Sequence, residues 1–238
     1  MSNTGTLYLI PTTLGKTSGN NTLPEYTLEI LRKLDVLVVE NIQTTSRFLQ
    51  WVGDTIPEYE IDFYQLNKRT PDHEVFSFLK PLKKGKDVGL LSEAGAPAVA
   101  DPGSTLVRMA HQNNIRVMPL TGPSSILLAL MASGFNGQQF AFHGYLPIDQ
   151  KKRKQMIIQL EGASKRHNRT QIFMETPHRN NALLKDLLKT CNPASWLCTA
   201  TDITLPNEQI ISKQISDWHT TRKPDLQKRP TIFILYGH

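Results

Sequence analysis

Cysteine is close to absent from this chain. Cys191 and Cys198 are the two in 238 residues, too few and too plainly spaced for a disulfide framework or a zinc cluster, so both read as reduced thiols. Long apolar runs are missing too. The longest, Ile126 to Ala132, falls far short of the roughly 20 residues a membrane-spanning helix needs. The stretch Met1 to Leu9 lacks the basic start, apolar middle and cleavage site of a signal peptide, so a cytoplasmic location is expected. No G-x-G-x-x-G follows the first strand-like run and no P-loop occurs, which argues against a dinucleotide-binding fold and an NTPase. There is no fixed-period repeat and no low-complexity tract. What remains is ordinary globular composition, 39% apolar and 20% charged, in a chain long enough for two domains of modest size.

Charge is unevenly divided. Residues 1–145 carry 12 Lys and Arg against 13 Asp and Glu, whereas residues 146–238 carry 15 against 8, so the whole excess of +6 sits in the second half. It gathers at Lys151, Lys152, Arg153 and Lys154, at Lys165, Arg166 and Arg169 beside His167, and at Arg222, Lys223, Lys228 and Arg229. Such clusters suit a phosphate backbone, since each cation that neutralises a phosphate releases bound counterions. A solvated face that keeps the protein soluble gives the same count.

Strand and helix signals alternate through the first half. Thr6 to Ile10 reads as a buried strand stopped by Pro11; Pro24 opens a helix carrying Leu28, Leu31 and Leu34; Val36 to Val39 is a second buried strand ending in Glu40. A helix over 43–51, a weak strand over 59–64 and a helix over 72–82 lead to a third strand, Val88 to Leu91. A helix over 105–113, a strand over 115–118 and a helix ending at Ala132 follow. From Phe140 the character changes: strands are expected over 140–145, 171–174, 196–200, 209–212 and 231–236, with a basic helix over 150–160 and another over 179–190. The expected fold is α/β in two domains, 1–121 and 122–238, each a mixed, mostly parallel sheet flanked by helices. In such folds ligands bind beyond the carboxyl ends of the strands.

The richest loop is Ser92 to Gly103. Gly95 and Gly103 permit positive φ, Pro97 and Pro102 stiffen the backbone, and Glu93 and Asp101 offer acceptors to a small polar ligand. Taken alone, Asp101-Pro102-Gly103 reads equally as a turn into a helix capped by Ser104. Glu40, Glu93 and Asp101 all fall at expected strand ends, where they are candidates for a general base and also for plain loop acceptors.

Five stretches in order, Leu7-Tyr-Leu-Ile-Pro-Thr-Thr-Leu-Gly15, Ser92 to Gly103, Gly122-Pro-Ser-Ser-Ile-Leu-Leu-Ala-Leu130, Phe142-His-Gly-Tyr-Leu-Pro147 and Ile172-Phe-Met-Glu-Thr-Pro-His-Arg179, resemble the tetrapyrrole methylase superfamily. Within it they look most like the small-subunit ribosomal RNA cytidine 2′-O-ribose methyltransferases. The resemblance implies a homodimer that binds S-adenosylmethionine in a cleft between its two domains, without a metal. Carried over by position, it implies cofactor contacts at Ser92, Glu93, Ala94, Gly95, Val99, Asp101, Ser124, Ser125, Met174 and Glu175, with Thr199, Ala200 and Thr231 near the adenine. It also makes ribosomal RNA or the small ribosomal subunit the expected partner, gripped by Lys151, Lys152, Arg153 and Lys154 and contacted by His178 and Arg179; His143 reads as structural. A methyltransferase of a small macrocycle and a non-catalytic binding module are the rival readings.

The chain departs from the family where the acceptor should be chosen. Its Gly-Asn becomes Gly15-Lys16 followed by an insertion, Thr17 to Thr22. Its Glu-Asp-Thr-Arg becomes Glu40-Asn-Ile-Gln43, its Ser-Asp-Ala-Gly-Thr becomes Ser92-Glu-Ala-Gly-Ala96, and its Arg-Glu-Leu-Thr-Lys becomes Thr199-Ala-Thr-Asp-Ile-Thr204.

Overall fold

The structure, a computed structural model, describes residues 4–15, 22–53 and 55–237. Lys16 and the insertion as far as Asn21 lie outside the described residues. The chain divides into two compact units, Met1–Ser124 and Ser125–His238, a division three residues beyond the one expected from the sequence.

In the first unit the strands are β1 (Thr6–Ile10), β2 (Val36–Val39), β3 (Asp62–Gln65), β4 (Val88–Leu91) and β5 (Arg116–Pro119), in the order β3-β2-β4-β1-β5. Every ladder is parallel, with Leu7 opposite Val88, Leu37 opposite Gly89 and Val36 opposite Asp62. Parallel strands require crossovers, which α1 (Glu25–Leu31), α2 (Ile42–Val52), α3 (Asp72–Ser77), α4 (Leu79–Lys83) and α5 (Ser104–Gln112) supply. Side chains alternate along each strand, so Val36 and Val38 face Leu79, Leu82 and Leu106, while Leu37 and Val39 face Leu31, Leu34 and Leu49. Both faces are therefore covered, which is why β2 and β4 read as unbroken apolar runs. Gly89 lies where the second layer is tightest. A Cβ there would come within 2.8 Å of Leu37 and 2.9 Å of Ile10.

Two expectations change here. The single helix over 72–82 is interrupted at Phe78, because Pro81 has no N–H for the Ser77 carbonyl and its ring crowds that turn. The weak strand over 59–64 becomes a 3-10 turn, Glu58–Glu60, followed by β3.

The second unit holds α6 (Ser125–Ser133), β6 (Phe140–Tyr145), α7 (Gln150–His167), β7 (Thr170–Met174), α8 (Asn180–Thr190), β8 (Trp196–Thr201), β9 (Gln209–Gln214), α9 (Ile215–Thr220) and β10 (Thr231–Tyr236). Its order is β6-β7-β10-β8-β9. Only β6 and β7 run parallel; the other three ladders are antiparallel, which corrects the expectation of a mostly parallel second sheet. The short link between β8 and β9 allows a hairpin-like return, and β10 inserts between β7 and β8. Helix α7 runs one and a half to two turns beyond the expected end: Asp149 caps its start by accepting from the Lys152 N–H at 2.9 Å, and Asn168, at φ 48°, closes it. Helix α9 was not expected. Its Ile215 and Trp218 are buried, and the Trp218 indole N–H donates to the Leu197 carbonyl at 3.0 Å. Burial pushes the Cys198 thiol up to about 12 and raises Cys191 as well, so both remain thiols. Among the described residues no helix is long and apolar enough to cross a membrane.

Candidate functional site

All five strands of the first unit deliver their following loops to one edge of its sheet, the carboxyl edge. Two of these loops are stitched together. Thr12 N–H donates to the Gly95 carbonyl at 3.0 Å and Gly95 N–H donates back to Thr12 at 3.2 Å. The Thr12 hydroxyl donates to the Ser92 carbonyl at 3.2 Å, and the Ser92 hydroxyl donates to the Gly95 carbonyl at 2.6 Å. Ser92 thus shapes the loop, while Glu93 and Ala94 stand exposed at its apex. Gly95 sits at φ 80°, and a Cβ on it would meet the Leu14 side chain at 3.1 Å. Beyond it, Ala98 and Ala100 hold φ near 63° and 65°. Left-handed backbone costs a non-glycine residue on the order of 1 kcal/mol, so the loop between Gly95 and α5 is held in shape against its own preference. Val99, between the two, is exposed. Helix α5 opens with Gly103 at its N-cap, so Ser104 is its first helical residue and makes no capping hydrogen bond, contrary to expectation.

The three acids singled out in the sequence come together. Burial raises the pKa of Glu40, and the nearby charges of Asp101 and then Glu93 raise it further, with Lys68 opposing. Asp101 is raised by burial and by Glu93, again against Lys68. A carboxylate biased toward its protonated form is a stronger base than one in water. Lys68, in the loop after β3, was missed in the sequence; its only signal was that it follows a strand ending at this edge. Two cavities adjoin the acids. One of about 360 Å³ is lined by Thr12, Thr44, Phe48, Trp51 and Glu93 among others, and one of about 350 Å³ by Lys68, Asp101 and Thr105 among others. Arg47, Phe48 and Trp51 were also missed, because an isolated polar helix gives no sign of which face meets a loop.

The departures from the family pattern have structural consequences. Asn41, where the family has an acid, caps α2 by accepting from the Thr44 N–H at 3.0 Å. Gln43 is exposed. In the second unit Asp202 accepts from Arg229 Nε at 2.6 Å, so both charges are engaged within the fold.

Of the other expected residues, Ser124 ends the first unit and Ser125 opens α6, both half-buried. Met174 ends β7 and Glu175 follows it, buried. Burial alone would raise Glu175, but hydrogen bonds from Arg179 and the Thr176 N–H, each 2.6 Å to Oε1, outweigh it and hold the carboxyl below its ordinary value. Among the described residues its Oε2 has no partner, and neither has the buried hydroxyl of Thr199 in β8; Ala200 is buried beside it. The Thr231 hydroxyl is taken up by the Arg229 carbonyl and by Thr201.

Among the expected RNA contacts, Lys151, Lys152 and His178 are exposed and Lys154 is half-exposed. Arg179 is paired to Glu175. Arg153 is a correction: its guanidinium is buried against Asp186 at 2.6 Å and also donates to the Ile148 carbonyl, so it is not available to a phosphate. It faces inward because position 153 points at α8, while 151, 152 and 154 lie around the outer side of the same helix.

The chain matches the Tetrapyrrole (Corrin/Porphyrin) Methylases over residues 6–218. It is 31% identical to the "Ribosomal RNA small subunit methyltransferase I" of Buchnera aphidicola subsp. Schizaphis graminum, across 100% of this chain and 80% of that protein. It is 28% identical to the protein of the same name from Escherichia coli O157:H7, across 98% and 78%. Among solved structures, the methyltransferase CobJ shares the fold with a TM-score of 0.64 at 18% identity, over 98% of this chain and 94% of that one. A match running through both units, together with a carboxyl-edge loop held in strained backbone beside grouped acids, places this chain in the tetrapyrrole methylase family as an S-adenosylmethionine-dependent methyltransferase.

Proposed function

We propose that this methyltransferase modifies a ribose 2′-hydroxyl of small-subunit ribosomal RNA, as a cytoplasmic homodimer. The observation that carries the reading is the grouping of Glu40 and Asp101, both with raised proton affinity, beside the charge of Glu93 at the edge of the sheet. A neutral ribose hydroxyl is a poor nucleophile until a base takes its proton, whereas an unprotonated ring nitrogen is nucleophilic as it stands and needs no such group. The names of the relatives point the same way.

S-adenosylmethionine, when bound, supplies a methyl group on a cationic sulfur. The residues present fit such a group. Three carboxylates against one lysine favour a cation. Ser92, Glu93, Ala94, Gly95, Val99 and Asp101 would hold it in the first unit, where the exposed apex of the loop leaves backbone open to a ligand. In the second unit, the buried Thr199 hydroxyl and Glu175 Oε2 have no partner among the described residues. The protein's part is then to hold the hydroxyl in line and remove its proton to the carboxylate group. Exposed Lys151 and Lys152 and half-exposed Lys154 on α7, with Lys165 and Arg166 in its last turn, supply cations for the phosphate backbone.

The test is transfer of tritiated methyl from S-adenosylmethionine to small subunits from cells lacking this protein. Label recovered after alkaline hydrolysis in a resistant dinucleotide is the expected result, since a 2′-methylated ribose cannot assist cleavage of its own phosphodiester. Label in mononucleotides would mean base methylation, and no label in RNA would mean a small-molecule acceptor. Sedimentation should give a particle of twice the 26.9 kDa chain.

A further inference from the structure

Helix α2 is expected from its sequence to be an ordinary polar covering helix, yet its outward side is built for a ligand. Phe48 and Trp51, three residues apart, stack with ring centroids 5.9 Å apart and planes 24° from parallel. Phe48 is tied into the apolar layer beneath, while Trp51 remains 38% exposed. A partly exposed indole at the rim of a cavity offers a ligand a flat apolar face with a polar N–H at its edge. Both rings line the cavity of about 360 Å³, together with Arg47 and the loop residues Thr13 and Glu93. Arg47 makes no salt bridge among the described residues, and the hydroxyls of Thr13 and Thr44 make no hydrogen bond among them.

We propose that this cavity receives the acceptor nucleotide of the RNA, with its base stacked on Trp51 and a flanking phosphate held by Arg47. The inference rests on the reading of this enzyme as an RNA methyltransferase and names the part of the site that seats the substrate. Stacked aromatics take any base by its π-face, and a guanidinium grips phosphate by a two-pronged hydrogen bond. The free threonine hydroxyls can donate to or accept from the base edge. The volume fits one unstacked nucleotide rather than a run of bases, as an enzyme acting on a single ribose requires. Glu93 lines the same cavity and shares the carboxylate group with Glu40 and Asp101, so a nucleotide seated here presents its ribose to the base.

The experiment compares wild type, Trp51→Ala, Trp51→Phe and Arg47→Gln in methyl transfer to unmodified small subunits. S-adenosylmethionine affinity is measured by calorimetry and folding by thermal melting. Trp51→Ala should lower kcat/KM tenfold or more, while Trp51→Phe, which keeps a stacking ring, stays within about threefold of wild type. Arg47→Gln should raise KM for the particle and flatten its dependence on salt, with kcat little changed. Cofactor affinity should be unchanged in all three, and melting temperature should fall by no more than about 5 °C in Trp51→Ala, the loss of one aromatic stack. Trp51→Ala within twofold of wild type overturns the proposal and leaves the RNA reading intact. A loss of cofactor affinity in Trp51→Ala also overturns it, by assigning the cavity to the cofactor. Equal losses in Trp51→Ala and Trp51→Phe overturn it as well, by assigning Trp51 a packing role. A wild-type enzyme that labels no RNA removes the reading and the subsite together.

Discussion

The Arg153–Asp186 ion pair is buried beside the exposed Lys151 and Lys152 of the same helix. Arg153 Nε and Nη2 both donate to Asp186 Oδ2, at 3.0 and 2.6 Å, and Nη1 donates to the Ile148 carbonyl at 2.8 Å. Gln150 donates to the other carboxylate oxygen at 2.9 Å. The two side chains are 8% and 2% exposed. Arg153→Met keeps most of the buried hydrocarbon but strands a carboxylate with a single neutral donor. Losing one partner of such a pair costs about 3–5 kcal/mol, because the desolvation of the survivor is no longer offset. In a chain of this length that lowers the midpoint of thermal unfolding by on the order of 10 °C. Arg153→Met with Asp186→Leu removes both charges and should lie within about 1 kcal/mol of wild type. Urea unfolding followed by tryptophan fluorescence in a Trp51→Phe background, where Trp196 and Trp218 report the second unit, measures all four members of the cycle. A single variant costing less than about 1 kcal/mol at unchanged m-value would refute the burial argument and return Arg153 to the RNA-binding set.

Three further outcomes are expected. Lys151→Glu with Lys154→Glu should leave stability within about 0.5 kcal/mol, as surface changes do, while weakening RNA binding and reducing its salt dependence in filter binding; unchanged binding would exclude this face of α7. Glu40→Gln and Asp101→Asn should stabilise the fold by on the order of 0.5 kcal/mol at neutral pH, the range of exposed charge pairs. The folded state holds these protons more tightly than the unfolded chain, so stability is lost as pH rises from the ordinary carboxylate range through the raised values, and the advantage of the amides should vanish below that range. Equal stability of wild type and variants across pH would refute the clustering. Gly95→Val should abolish S-adenosylmethionine binding in calorimetry, because a β-branched residue resists φ 80° and its Cβ would press on Leu14; normal affinity would displace the cofactor from this loop.

The first unit was legible because its strands are buried on both faces and therefore spell themselves as apolar runs, Val36 to Val39 above all. The same signal put Glu40, Glu93 and Asp101 at strand ends, which the fold gathers at one edge. What could not be read depends on contacts between elements distant in sequence. Nothing local tells β10 to pair antiparallel with both β7 and β8, so the second sheet was misjudged. Nothing in Lys151-Lys-Arg-Lys154 distinguishes the one cation that meets Asp186, thirty-three residues on, from those that meet water. Helix α9 is a single buried turn and a half whose apolar residues, Ile215 and Trp218, are too few to show a period. Lys68 and Arg47 have no distinguishing neighbours in sequence at all; only the placement of the loop after β3 and of helix α2 beside the carboxyl edge reveals them.

That edge also explains why the two halves of the chain differ in charge. Grouped carboxylates attract a cationic methyl donor, but they repel the phosphates on either side of an acceptor nucleotide. One lysine, Lys68, does not offset three acids. An RNA substrate must therefore be held mainly by cations supplied elsewhere, and the second half of the chain carries 15 Lys and Arg against 8 acids. Arg153 and Arg229 are engaged by Asp186 and Asp202, so under the proposed function the phosphates fall to the other cations of this half, the exposed Lys151, Lys152, Lys165 and Arg166 of α7 among them. Affinity for the backbone and reactivity toward the ribose then rest on different residues, so the first can be weakened by salt while the second is not.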